Sequence, residues 1–251
     1  MENRDNWDQH WSQLNEITEL NPAQHYRHKL VFQAINDYLE SRSNKIFDFG
    51  SGQGDLIRLM RSEFNEAKFT GFELGDSGVN ISRIKTPDAQ FVQCDLIENN
   101  PPYHKLYESG NIGVCSEVLE HLDEPKKMLI TINKYLAKNA FLIITVPSGP
   151  MNEFEKSIGH RKHYMRSELE NLVKSSGFSI IEIRCAGFPF FNLYKIIAFL
   201  RGKKIMQNDI NPNRKISKIL RIIFKIFNVL FHFNLTNSPF GWQLILIAQK
   251  Q

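Results

Sequence analysis

The sequence contains little that would mark an exported or membrane-spanning protein. Its three cysteines, Cys94, Cys115 and Cys185, have neither disulfide nor metal-site spacing, so we expect buried, reduced thiols. The first residues are polar and charged, unlike a signal peptide. No apolar run reaches the length of about 18 residues that a transmembrane helix needs. We therefore expect a cytoplasmic protein, either free or held peripherally at the inner membrane surface.

Internal repeats and low-complexity tracts are also missing, and the composition is that of an ordinary globular protein. Hydrophobic residues make up 42% and charged residues 23% of the 251 positions, which allows a sizeable core. The length suits one α/β domain with an elaboration, or two small domains. The net charge of +4 is only a weak indication of an anionic partner.

Segments of strand character and helix character alternate along the chain. Helical spacing is clearest over 56–64, 125–136 and 168–176, and Ser167 with Glu170 resembles a capping box at the start of the last. This alternation predicts a doubly wound, mostly parallel seven-stranded α/β sheet. The predicted strands are 45–49, 68–73, 90–94, 112–116, 141–146, 179–185 and 242–248.

The first predicted strand leads directly into DFGSGQGD, residues 48–55. Glycines permit a tight turn and close approach of a ligand, which the N–H groups of the following helix start would face. A dinucleotide site uses the spacing G-x-G-x-x-G, whereas here Gly50, Gly52 and Gly54 alternate with single residues. Asp48 and Asp55 would repel a pyrophosphate. The pattern therefore favours a ligand that carries an ammonium and a sulfonium.

This segment resembles the first motif of the class I S-adenosylmethionine-dependent methyltransferases, and further landmarks follow in that family's order. Glu73 in TGFELGD matches the acid that binds the ribose hydroxyls, and Asp95 in QCDL matches the residue near the adenine amine. The resemblance covers about residues 45–185 and the last strand. It implies a Rossmann-like fold, S-adenosylmethionine as methyl donor, and a set of cofactor-binding residues. These are Asp48, Gly50, Ser51, Gly52, Gly54, Glu73, Asp95, Leu96 and Ser116.

The segment EVLEH, residues 117–121, is similar to that of the ubiquinone-biosynthesis O-methyltransferases and the small-RNA 3′-terminal 2′-O-methyltransferases. In those families it binds a metal together with a later histidine. On an α-helix, Glu117, Glu120 and His121 would share one face, and His160 could be the later histidine. The resemblance thus implies a site for Mg²⁺, Mn²⁺ or Zn²⁺ on these four residues. The alternative is that the segment supports the cofactor or caps a helix, because it also occurs widely without a metal.

The segment GHRKHY, residues 159–164, contains two histidines and two cations. His160 or His163 could remove a proton from a hydroxyl acceptor, and Arg161 with Lys162 could bind an anion. Alternatively, a histidine closes the loop through a backbone hydrogen bond, and Tyr164 packs or supports the loop. The candidate catalytic residues are His160, His121 and Glu117.

Two segments lie outside the predicted core of 45–187 and 240–251. Residues 1–44 are expected to cover the cofactor site with a helical segment, and their notable side chains are Trp7, His10, Trp11, Tyr26 and Arg27. Each of these aromatics could equally be buried on the domain. Residues 188–239 contain two apolar helical segments, 190–200 and 213–233, joined by a polar stretch at 201–215 that is predicted as an exposed loop.

The second apolar segment should begin after a cap at Asn211-Pro212, and it has one narrow polar stripe. The stripe comprises Arg214, Lys218, Arg221, Lys225, Asn228 and His232. A helix with so wide an apolar surface must bury it. It could do so on its own domain as the wall of an acceptor pocket, on a second subunit, or on a membrane surface through 213–233.

The sequence therefore predicts an S-adenosylmethionine-dependent O-methyltransferase. Its acceptor would be a small or lipid-linked molecule, such as a glycan hydroxyl or a quinone-like phenol. An RNA ribose 2′-O-methyltransferase is a first alternative, disfavoured because the basic residues are not interleaved with stacking aromatics, so nucleic acid is not an expected partner. The second is a non-catalytic cofactor-binding partner protein, which the intact glycine segment and Glu73 argue against.

Overall fold

Strands and helices alternate as the hydrophobic pattern predicts. The computed structural model describes residues 8, 20–38, 44–98, 103–209 and 218–251, with the backbone alone for 154 and 201–209. The strands are β1 Lys45–Phe49, β2 Lys68–Glu73, β3 Gln90–Gln93, β4 Gly110–Ser116, β5 Leu136–Pro147, β6 Phe178–Ala186 and β7 Gln243–Lys250. The helices are α1 Pro22–Tyr38, α2 Asp55–Glu63, α3 Asp76–Lys85, α4 Pro125–Tyr135, α5 Glu153–Ser157, α6 Arg166–Lys174, α7 Phe190–Asp209 and α8 Lys218–Leu230. Short 3-10 turns lie at His104–Leu106, Leu119–His121 and Phe231–Phe233.

The seven strands form one sheet in the order β3-β2-β1-β4-β5-β7-β6. The first five in chain order pair in parallel, whereas β7 runs antiparallel between β5 and β6. This arrangement confirms the predicted Rossmann-like, mostly parallel sheet with a helical insert before the last strand. The strand order reverses between β1 and β4, and ligands of such sheets bind at the carboxyl ends of the strands on either side of that reversal.

Helices cover both faces of the sheet because the strands present apolar side chains on both faces. In β1, Phe47 and Phe49 point to one face, where they meet Phe72 and Tyr135, and Ile46 points to the other. Leu30, Val31 and other residues of α1 complete the second face. The three cysteines are free; Cys94 and Cys115 are buried and Cys185 is half-buried.

Two local predictions were wrong. Helix α6 begins at Arg166, and Glu168 accepts a hydrogen bond from the Met165 N–H (2.9 Å), so Ser167 and Glu170 do not form the capping box. Helix α7 continues to Asp209 through most of the stretch predicted as an exposed loop. Asn211-Pro212, Arg214, Trp7, His10 and Trp11 lie outside the described residues.

Polar contacts join the two ends of the insert between β6 and β7 to each other. Asn234 Oδ1 accepts from the N–H groups of Phe190 (2.9 Å) and Phe191 (3.2 Å), which satisfies the free donors at the start of α7. Among the helices that the structure describes, none combines the length and the hydropathy required for a membrane span.

Candidate active site at the carboxyl ends of β1, β2 and β4

The glycine turn after β1 has a backbone that only glycine adopts without strain. Gly50, Gly52 and Gly54 have φ values of 85°, 53° and 75°. A Cβ on Gly50 would lie 2.4 Å from Cγ2 of Val118. The N–H groups of Gly50 and Ser51 donate to the Phe72 carbonyl (2.8 and 3.0 Å), which fixes the turn against β2. The turn thus presents bare backbone next to the strand-order reversal.

The two acids beside this turn have different environments. Asp48 is buried at the end of β1, and burial together with the neighbouring Glu73 raises its pKa from 3.8 to about 7. Asp55 begins α2 and lies 3.0 Å from Nζ of Lys85, with Arg58 at 3.8 Å. The expectation that both acids face a cationic ligand is therefore wrong for Asp55, whose charge is balanced by α3.

Glu73 is held by the backbone on both sides. Its Oε2 accepts from the Gly52 N–H (2.8 Å) and its Oε1 from the Gly75 N–H (3.0 Å). A carboxylate oxygen can accept more than one hydrogen bond. The carboxylate is therefore fixed between the glycine turn and the start of α3.

The remaining predicted cofactor residues lie around the same end of the sheet. Asp95 follows β3 and accepts from the Ile97 N–H (3.0 Å), while Leu96 beside it is buried. The Ser51 hydroxyl is buried and has no hydrogen-bond partner among the described residues. Asp8 accepts from the Ser77 N–H (2.9 Å), which places Asp8 at the start of α3.

The EVLEH segment does not form the predicted α-helix. Glu117 has a left-handed φ of 58°, and only Leu119–His121 form a 3-10 turn. The Glu117 carboxylate accepts from Gln243 Nε2 (2.7 Å) and from the Thr145 hydroxyl (3.0 Å), and lies 3.5 Å from Nε of Arg27. Because Thr145 donates to Glu117, the Ser116 hydroxyl donates to Thr145 (2.8 Å). The prediction that Glu117, Glu120 and His121 share a helix face is thus wrong.

Hydrogen bonds join the GHRKHY loop to the 3-10 turn. The Arg161 N–H donates to the Glu120 carbonyl (2.7 Å), and the buried Tyr164 hydroxyl donates to the Leu119 carbonyl (3.0 Å). These contacts bring His160 against His121, with ring centroids 4.7 Å apart. The prediction that Tyr164 supports the loop agrees with this geometry.

Three of the four residues predicted to bind a metal lie together. One potential ligand atom from each of Glu120, His121 and His160 falls within 4.8 Å of the others, and Glu117 is not in this group. Glu120 is fully buried, and neither of its oxygens has a hydrogen-bond partner within the described ranges. Burial and the nearby Glu117 raise its pKa well above the ordinary value. A buried carboxyl group without a partner is costly unless a ligand satisfies it.

Hydrogen-bond directions assign the tautomers of His160 and His163. His163 Nδ1 lies 3.1 Å from the Gly149 carbonyl, so that nitrogen carries the proton. Its Nε2 must then accept from His160 Nδ1 (3.2 Å). His160 is left with an unprotonated Nε2, and burial with the neighbouring His121 and His163 lowers its pKa to about 2. His160 therefore offers a lone pair to a ligand.

A buried ion pair beside these rings was not predicted. Glu155 Oε1 lies 2.8 Å from Nζ of Lys195 on α7 and 3.6 Å from Nε2 of His163. No local sequence pattern links Glu155 to a lysine 40 positions away. The predicted anion grip is also wrong, because Arg161 pairs with Asp123 (3.0 Å) and Lys162 with Glu168 (3.4 Å).

A cavity of about 420 Å³ lies between the insert and the core. Trp242, which lines it, packs on Gly149, whose carbonyl accepts from His163. These two contacts connect the cavity wall to His163. Its lining is mainly apolar and comprises Phe188, Pro189, Asn192, Leu193, Ile196, Pro239, Phe240 and Trp242.

The sheet order, the glycine turn after β1 and the fixed acid at the end of β2 together define a class I S-adenosylmethionine-dependent methyltransferase. Residues 23–183 match the family model of the methyltransferase domain, and the chain belongs to this family. It is a transferase that uses S-adenosylmethionine. No curated protein matches the chain significantly.

Solved structures share the fold at low identity. A TehB-like S-adenosylmethionine-dependent methyltransferase from Corynebacterium glutamicum is 14% identical, with 98% of this chain and 97% of that chain covered and a TM-score of 0.57. Phosphoethanolamine N-methyltransferase 2 from Haemonchus contortus, in complex with S-adenosylmethionine, is 16% identical (88% and 52% covered, TM-score 0.56). The [4+2]-cyclase SpnF is also 16% identical (89% and 80% covered, TM-score 0.59). The fold therefore accommodates several reactions.

Proposed function

We propose that this methyltransferase acts on an oxygen of a small or lipid-linked acceptor, with His160 accepting a hydrogen bond from the acceptor hydroxyl and so orienting its oxygen toward the donor methyl group. S-adenosylmethionine supplies a methyl group that is already activated on a sulfonium, so the protein mainly has to align donor and acceptor. A hydroxyl acceptor, unlike an amine, also needs its proton removed. The observation that carries the proposal is the unprotonated Nε2 of half-buried His160, which its hydrogen bond to His163 leaves available.

The donor site is formed by the residues around the glycine turn. Glu73 would accept from the two ribose hydroxyls, since both of its oxygens are already oriented by backbone N–H groups. Asp48 would stabilise the positive charges of the donor, and Asp95 with Leu96 would adjoin the adenine. The Ser51 hydroxyl, which has no hydrogen-bond partner in the ranges that the structure describes, supports a polar ligand at the turn.

In this proposal three parts of the chain have different roles. Residues 45–187 and 240–251 form the core that holds the donor. Residues 1–44 cover the donor site, which the contact between Asp8 and Ser77 supports. Residues 188–239 form a wall of the acceptor pocket, and the mainly apolar cavity beside Trp242 supports an acceptor with a hydrophobic part.

A divalent ion is a second candidate for activating the acceptor, as in the ubiquinone-biosynthesis type. The specific observation in favour is Glu120, buried without a hydrogen-bond partner in the described part of the chain and close to His121 and His160. A carboxylate with two imidazoles suits Mn²⁺ or Zn²⁺ better than Mg²⁺. Bound there, an ion would lower the pKa of an acceptor hydroxyl. Glu117 would not be a ligand, because Gln243, Thr145 and Arg27 engage it.

Transfer of radiolabel from S-adenosyl-[methyl-³H]methionine into extract fractions would test the acceptor and the role of His160. We expect label in a solvent-extractable product. The initial rate of label transfer should be about 100-fold lower, or lower still, in His160→Gln. Donor affinity should stay the same in this variant. His104→Gln, at an exposed histidine of a distant 3-10 turn, is the matched control. Equal rates in both variants would refute the role of His160, and label recovered only on amines would refute O-methylation.

Calorimetry with Mn²⁺ or Zn²⁺ on chelator-treated protein would test the ion. We expect one site per chain that is lost in Glu120→Gln and kept in Glu63→Gln, a change at an exposed glutamate of α2. Absence of binding to the wild type would leave His160 acting alone.

A further inference from the structure

Helix α8 has two apolar stripes, and only one of them is buried. Leu220, Phe224 and Phe227 pack inward, in the clusters formed with α1 and α7. The second stripe, here called the outer stripe, lies about half a turn away and faces outward. Ile219 is 70% exposed, Ile222 57% and Val229 61%. The outer stripe comprises Ile219, Ile222, Ile226, Val229 and Phe233, with spacings of three and four residues.

Cations border the outer stripe along one edge. At about 100° per residue, Lys218, Arg221 and Lys225 fall on one flank of the helix, between the outer stripe and the buried stripe. All three are exposed. The segment between Phe190 and Phe233 contains nine lysines and arginines and one acid, Asp209, a net +8. Because the whole chain has a net charge of +4, the remaining residues carry a net −4. The positive charge is thus concentrated on the insert.

From this geometry we infer that the outer stripe of α8 docks on an anionic lipid bilayer. An exposed helix with apolar residues on one side and lysines at their edge can bury the former among acyl chains and pair the latter with headgroups. A second copy is a poorer partner, because α8 contains no acid to balance the lysines that a symmetric pairing would bring together. A nucleic acid would leave the exposed isoleucines without a contact. The inference does not depend on which acceptor is methylated.

Sedimentation of the full-length protein with vesicles tests this docking. We expect binding to phosphatidylcholine/phosphatidylglycerol vesicles and little to pure phosphatidylcholine. Ile222→Gln with Ile226→Gln should weaken partitioning roughly 30-fold, because the lipid loses its contact with two exposed isoleucine side chains. The matched control is Ile84→Gln with Ile130→Gln, at exposed isoleucines of α3 and α4.

Replacement of exposed lysines by glutamine is an independent test, because it leaves the packing of the helix unchanged. Lys218→Gln and Lys225→Gln should each reduce binding to the anionic vesicles about fivefold. Lys126→Gln with Lys138→Gln, at exposed lysines away from the insert, should not. No binding of the wild type to anionic vesicles would overturn the inference. So would equal binding by the stripe and control variants, or a concentration-dependent dimer that Ile222→Gln with Ile226→Gln dissociates. S-adenosylhomocysteine affinity, measured on the same samples, reports separately on the donor site.

Discussion

Replacing Glu73 by alanine should affect stability and donor binding through separable contacts. In the free protein the carboxylate accepts from the Gly52 and Gly75 N–H groups at 2.8 and 3.0 Å. Alanine leaves two buried donors unsatisfied, at about 1–3 kcal/mol each. We therefore expect the free energy of unfolding to fall by about 2–4 kcal/mol, allowing for partial hydration of the gap.

The loss in donor binding is larger if Glu73 also accepts from both ribose hydroxyls. Charge-assisted hydrogen bonds contribute about 1.5–3 kcal/mol each, so the Kd for S-adenosylhomocysteine should rise by about 10²–10⁴. Calorimetry measures this Kd, and chemical denaturation measures the stability. Glu73→Gln keeps one acceptor oxygen and should lie between alanine and the wild type on both scales.

A ligand analogue separates the ribose contact from damage to the turn. The wild type should bind 2′,3′-dideoxy-S-adenosylhomocysteine at least about 100-fold more weakly than the parent, whereas Glu73→Ala should bind both alike. Asp55→Asn, at a buried acid of the same turn paired with Lys85, should keep the discrimination of the wild type. If Glu73→Ala still discriminates between the two ligands, the ribose assignment is refuted.

Three further changes test the same site. Gly50→Ala should lower Tm and weaken S-adenosylhomocysteine binding in calorimetry, because φ is 85° and the new Cβ meets Val118; Val118→Ala should restore only part of the loss. Because folding raises the pKa of Asp48 from 3.8 to about 7, the wild type should lose stability as pH rises from about 4 to 7, and S-adenosylmethionine affinity should rise as pH passes 7. Asp48→Asn should remove both slopes in denaturation and calorimetry, and slopes that persist would assign them to another group. Tyr164→Phe should cost about 1 kcal/mol in unfolding and lower kcat more than KM, because its hydrogen bond to Leu119 anchors the loop; an unchanged kcat would contradict that role.

Much of the fold was predictable because each strand carries its own signal. Strands β1 and β2 have the predicted bounds, since they are apolar runs that end at a glycine turn or an acid. The Rossmann-like class of the sheet followed from the resemblance. The error at α7 arose because a polar composition indicates solvent exposure and does not exclude helix, and RGKKIMQND contains residues of high helix propensity.

The site was predictable where function depends on backbone and unpredictable where it depends on distant partners. The glycine turn and Glu73 are set by neighbours in sequence or on the adjacent strand. Glu117 was assigned to a helix face because helical spacing was assumed, yet its backbone is left-handed and Gln243, 126 positions away, engages its carboxylate. Asp55 was likewise predicted to face a cationic ligand, whereas in the structure it pairs with Lys85. Such pairs exist only in the folded chain.

The buried Glu155–Lys195 pair suggests why acceptor choice should reside in the insert. The residues that the resemblance assigns to the donor lie in the core, around the glycine turn and Glu73. Lys195 lies on α7, three positions from Asn192 of the apolar cavity, and its partner Glu155 lies beside His163. A change in the packing of α7 therefore alters both the cavity and the surroundings of His163. Lys195→Met should consequently change KM among acceptors of different size while S-adenosylhomocysteine affinity stays constant, and a uniform loss of donor binding would show that α7 supports the core instead.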